Sequence, residues 1–138
     1  MTTELEALSR RVEAATGSDG DLDAELTRVL GGGPAAQIVD YTASVDRAID
    51  LVHAVLPGWD WHLGWNASGI LPYATLSHGE RRTTAAAATV PLALLRALTR
   101  AVDEQAAMEA RARADRETKL DDAVRPWGTR ATTSSATM

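Results

Sequence analysis

The stretch Leu56-Pro57-Gly58-Trp59-Asp60-Trp61-His62-Leu63-Gly64-Trp65 decides the fold. Pro57-Gly58 cannot extend a helix, and it stops the apolar stripe Val45, Ile49, Val52 and Leu56 that comes before it. Beyond the stop, Trp59, Trp61, Leu63 and Trp65 alternate with Asp60, His62, Gly64 and Asn66, the period of a strand with one buried face. That face is almost wholly indole. The chain has no phenylalanine and two tyrosines, so the four tryptophans Trp59, Trp61, Trp65 and Trp127 hold nearly all its large aromatic surface. The expectation is a core centred on the tryptophans of this strand.

Working outward, Asn66-Ala67-Ser68-Gly69 has the residue types of a turn, and Ile70 to Ser77 returns as a second strand, with Pro72 marking an edge position or a bulge. His78-Gly79-Glu80 turns again. In Arg81 to Ala88 the Thr83-Thr84 pair favours a strand over the helix its alanines allow, and a third short strand is preferred. Thr89 as N-cap and Pro91 in the first turn open a long helix with Leu92, Leu95, Leu98 and Val102 on one face. Upstream of the decisive stretch, Thr42 or Ser44 caps a helix whose first turn holds Asp46. Two further helices are expected before it. Leu5, Leu8 and Val12 fall at helical spacing, Gly17-Ser18-Asp19-Gly20 interrupts, and Asp21 caps a stripe of Leu22, Leu26, Val29 and Leu30. Gly31-Gly32-Gly33-Pro34 then reads as a flexible joint; it lacks the Gly-Lys-Ser/Thr ending of a phosphate loop.

The fold class expected is α+β, a two-layer or sandwich-like arrangement of a small antiparallel sheet of two or three strands against helices. Residues 1–33 form an N-terminal helical segment, 34–102 the α/β core and 103–127 a helical extension rich in Ala, Glu and Arg; the Thr/Ser/Ala-rich residues 128–138 are expected to be a disordered tail. With 138 residues and 45% hydrophobic content, one core is expected. The absence of cysteine excludes disulfides, thiolate metal sites and cysteine nucleophiles, and points to a reducing compartment. The acidic start Met1-Thr2-Thr3-Glu4 is unlike an export leader, and no apolar run approaches the length of a membrane span. A net charge of -5 argues against direct nucleic-acid binding, which needs a concentrated basic surface.

The run Tyr41-Thr42-Ala43-Ser44-Val45-Asp46-Arg47-Ala48-Ile49, continued by Leu51-Val52 and Leu56-Pro57-Gly58-Trp59-Asp60-Trp61, together with Ala87-Ala88-Thr89-Val90-Pro91-Leu92-Ala93-Leu94, resembles the phage ABA sandwich domain family of small bacteriophage and prophage proteins. Val90 stands between the threonine and proline that the pattern keeps adjacent, which leaves the cap position open. The resemblance covers about Tyr41 to Val102 and implies a scaffold of a cap, a helix stop, core tryptophans and a proline in a first turn. It carries no common activity. What it implies about context is a small accessory protein in the host cytosol that binds a host component without catalysis.

No motif dictates a reaction. Asp60, His62, His78 and Glu80 are the residues best suited to a divalent metal, since the first two share a strand face and the hairpin could bring the others near. Asp46, Asp50 and His53 share a helix face but show neither pocket nor nucleophile. Trp59, Trp61 and Trp65, joined by Arg81 and Arg82 folding over one exposed indole, would suit a phosphate-bearing small ligand. The functional expectation is a non-enzymatic phage or prophage protein in counter-defence, occluding a host immune protein or sequestering a nucleotide signal, with no cofactor. Homo-oligomers are expected through the hairpin edge or the helix from Glu104 to Arg116. A structural or assembly role and a small metal-dependent enzyme are the alternatives.

Overall fold

Caps and stops along the chain resolve into α1 (Thr2–Ala14), α2 (Gly20–Val29), α3 (Val45–Val55), β1 (Asp60–Trp65), β2 (Pro72–His78), β3 (Arg81–Ala86) and α4 (Val90–Thr137). The structure is a computed structural model; it describes residues 2–137, with side chains over 4–120. The tail expected at residues 128–138 and the burial expected of Trp127 lie outside the residues whose side chains are described. The fold is α+β: among the described residues, four helices accompany a three-stranded antiparallel sheet in the order β1-β2-β3. No described helix is long and apolar enough to cross a membrane. Residues contact one another in two units, Met1–Asp103 and Glu104–Met138. The first unit holds the sheet and the two N-terminal helices. In the second, residues 107–120 of α4 expose their side chains.

Local chemistry sets the element ends. Asp19 caps α2, accepting from the N–H groups of Asp21 and Leu22. Asp21 therefore lies inside the first turn and is not the cap, because the chain turns helical two residues earlier than the apolar stripe shows. Ser44 caps α3 by accepting from Arg47 N–H. The other expected cap, Thr42, is a staple: its N–H donates to the buried Asp23 carboxylate at 2.8 Å, and its hydroxyl accepts from Asp19 N–H at 2.8 Å. Thr89 accepts from Leu92 N–H and begins α4.

The glycine run is no loose joint. Gly31 N–H donates to the Leu26 and Thr27 carbonyls and Gly33 N–H to Thr27, closing α2, and Gly32 and Gly33 take positive φ to do so. A Cβ on Gly31 would stand 2.7 Å from the Tyr41 hydroxyl, so the missing side chain is what lets Tyr41 bury there.

The core is mainly aliphatic, with Trp59 and Tyr41 as its buried aromatic residues. Leu92, Leu94, Leu95 and Leu98 of α4, Leu51 and Val52 of α3, Leu22 and Leu26 of α2, and Leu8 and Val12 of α1 close over Ala74, Leu76 and Ala85 of the sheet. Each fully buried leucine contributes about 1.5–3 kcal/mol of transfer free energy. Trp59, just before β1, is buried at 8% exposure, but Trp61 and Trp65 are 40% and 60% exposed. The expected alternation holds, but the helices do not cover the whole of its inner side. β1 is an edge strand, and the helices cover the inner face of β2 and β3 while the large side chains of β1 overhang. Pro72 is at the first residue of β2, which is the central strand and not an edge.

Two arginines of α4 bind the layers together. Arg96 donates to the carbonyls of Val12, Glu13 and Ala15 at the end of α1 and to Ala86 of β3. Arg100 donates to both oxygens of Glu13, at 2.7 and 2.9 Å, and to the Thr84 carbonyl. The Arg100 hydrogen bonds hold the Glu13 carboxyl below its ordinary pKa of 4.5.

Candidate ligand site

The strand register sorts the polar side chains. Asp60 faces Ser77 and Ser77 faces Arg82; His62 faces Thr75 and Thr75 faces Thr84; Gly64 faces Tyr73 and Tyr73 faces Ala86. Residues opposite one another in antiparallel strands share a face, so these rows line the outer side of the sheet, away from the leucine core.

Gly64 is what allows the arrangement. A Cβ there would lie 2.7 Å from the Tyr73 ring and hydroxyl, so Tyr73 lies across β1 at the one position without a side chain. Its hydroxyl then shares a hydrogen bond of 3.4 Å with His62 Nε2, the two rings tilted at 42° with centroids 5.9 Å apart. Thr75 and Thr84 hydroxyls meet at 2.9 Å alongside. His62, Tyr73, Thr75, Ser77 and Arg82 together line a shallow groove of about 320 Å³. Arg82 is exposed, and among the described residues no ion pair engages its guanidinium. The groove thus offers a cation, hydroxyls and an imidazole, with Asp60 in the same row as Ser77 and Arg82, on the far strand.

The residues expected to form a site divide between the two faces. Adjacent residues in a strand point opposite ways, so Arg81 and Arg82 cannot fold over the same indole. Arg81 lies on the inner side, its guanidinium carbon 5.0 Å from the centre of the Trp59 ring, and His78 stacks against Trp59 at 5.6 Å. Trp59 is held in a core-edge stack, and Trp61 and Trp65 lie on the inner side at the free edge, away from Arg82. Of the five residues expected, only Arg82 joins the groove.

The metal cluster does not assemble. Asp60 and His62 are on the outer face, His78 is stacked on Trp59 on the inner side, and Glu80 is in the β2–β3 turn. Among the described residues no three His, Asp or Glu side chains could hold a metal ion. On α3, Asp50 pairs with Arg47 at 3.7 Å and His53 is exposed. Sequence reasoning missed Tyr73, Thr75 and Ser77. Their signal is the polar half of the β2 alternation, which becomes a site only beside His62 of β1 and Arg82 of β3.

Comparison with protein families, curated proteins and solved structures gave no match to this chain.

Proposed function

We propose that this is a non-enzymatic binding protein that holds a phosphate-bearing small ligand of the nucleotide class on the outer face of its sheet. The observation that carries the reading is the convergence of Arg82, which has no ion pair among the described residues, with the hydroxyls of Thr75, Ser77 and Tyr73 and the imidazole of His62 around one groove. A guanidinium flanked by hydroxyl donors matches a phosphate group, which accepts several charge-assisted hydrogen bonds at once. The Tyr73 ring supplies an aromatic face for a base, and the Asp60 carboxylate suits a ribose hydroxyl or an exocyclic amine. A groove of about 320 Å³ is at the small end of ligand sites and takes one phosphate with part of its sugar.

The groove is open and has one charge centre, a design for holding a ligand rather than for turning it over. In the phage setting that the resemblance of residues 41–102 implies, such binding serves counter-defence by sequestering a nucleotide signal in the host cytosol. Titration calorimetry with inorganic phosphate, nucleoside monophosphates and cyclic dinucleotides tests the reading. It expects binding of a phosphate-bearing member of the set, weakened at least about tenfold by Arg82→Gln, with the ligand recovered unchanged by mass spectrometry. No binding across the set, or binding indifferent to Arg82, refutes it.

A further inference from the structure

The sheet has two edges, and the chain treats them differently. Along β3 the outward-directed carbonyls of Thr84 and Ala86 are occupied by Arg100 and Arg96, so that edge is closed by the protein itself. Along β1 no described side chain or backbone group does the same. Asn66 N–H donates to the Leu71 carbonyl at 3.0 Å, which makes Asn66 and, by alternation, Gly64, His62 and Asp60 the residues that bond inward to β2. The N–H and C=O groups of Trp61, Leu63 and Trp65 therefore point out of the sheet.

We propose that this edge pairs with the β1 edge of a second copy of the chain, antiparallel and centred on Leu63. A two-fold axis normal to the sheet keeps both inner faces on the same side and requires one residue to oppose itself. Centring on Leu63 sets Trp61 against Trp65 of the second copy and Trp65 against its Trp61. It is the register that engages the outward groups of all three residues in both chains, six hydrogen bonds in all. Charge agrees with it. Asp60 then faces Asn66, and no like charges are opposed, whereas β1 carries none of the lysines, prolines or bulges by which exposed edges are kept apart.

The apolar surface beside the edge also calls for a cover. Trp61, Trp65, Ile70 and Leu71 are 40%, 60%, 73% and 39% exposed, grouped at the edge strand and the hairpin tip that leads from it. Together they offer roughly 400 Å² per protomer before the strand backbone is counted, about half of what a stable interface takes from each partner. Cross-strand indole pairs add stabilisation beyond that area. The result is a concentration-dependent dimer with a continuous six-stranded sheet.

Sedimentation velocity over a wide concentration series, paired with amide hydrogen exchange on the full chain, tests this. The expected result is a monomer–dimer equilibrium in which the amides of Trp61, Leu63 and Trp65 gain protection with concentration, while those of His62 and Gly64 are protected throughout. Trp65→Lys weakens the dimer by more than about tenfold with unchanged circular dichroism. Ile70→Lys, at an exposed position beside the hairpin tip, provides the same test should the first variant fold poorly. A monomer at every concentration overturns the inference, and so does a dimer that leaves those three amides unprotected.

Discussion

Replacing Arg96 by Met should cost about 3 kcal/mol of folding stability. The guanidinium donates to four carbonyls, three of them at the C-terminal end of α1, at 3.3, 2.7 and 3.1 Å, and one on β3 at 2.9 Å. Hydrogen bonds from a charged donor are worth about 1.5–3 kcal/mol each, yet the site is only part-buried and water recovers a share of them, leaving about 0.5–1 kcal/mol per bond. Loss of the cation from the end of the α1 dipole adds about 0.3–1 kcal/mol. Methionine keeps most of the apolar stem, so packing contributes little to the difference. Urea unfolding followed by circular dichroism reads the change, as a lower midpoint with the same slope. Amide exchange should show α1 fraying first. A loss below about 0.5 kcal/mol would refute the claim that Arg96 helps to join α1 to the sheet.

Gly64→Ala should push Tyr73 off β1, because the new Cβ would stand 2.7 Å from its ring; weaker ligand binding, with a stability loss of about 1–3 kcal/mol, is the combined expectation from calorimetry and unfolding. Trp59→Leu should cost about 3 kcal/mol, whereas Trp65→Lys changes monomer stability by less than about 0.5 kcal/mol, a contrast that thermal unfolding of dilute protein resolves. Arg100 lowers the Glu13 pKa, so the pair stabilises the fold above the ordinary value of 4.5 and its contribution disappears as pH falls through the lowered value. Glu13→Gln therefore destabilises by less than about 1 kcal/mol at neutral pH, and the gap to the unsubstituted protein closes in acid.

Much of the fold could be read from the chain because its punctuation is local. Pro57-Gly58 ends α3, Thr89 caps α4 beside Val90-Pro91, and the hairpin falls where Asn66 to Gly69 predict it. Period-two alternation also told correctly which residues of β1 share a side. It could not tell how much of that side is covered. Burial depends on which strand lies at the edge and on where the leucines of α4 stand, and both are long-range facts. Trp61 and Trp65 were read as core for that reason. The same blindness explains the site. Arg82 was singled out for its charge, but its partners Thr75 and Ser77 are ordinary strand residues that become a site only when β2 lies between β1 and β3. Gly64 gave a weaker signal, a glycine inside a strand, which marks a close approach by a neighbour.

Phosphate recognition on the outer face is tested most directly by amide and side-chain NMR shifts during titration with a nucleoside monophosphate. The account predicts saturable shifts confined to Asp60, His62, Tyr73, Thr75, Ser77 and Arg82, lost or weakened at least about tenfold in Arg82→Gln. Shifts that instead gather at Trp61 and Trp65 on the opposite side, or none at millimolar ligand, would contradict it.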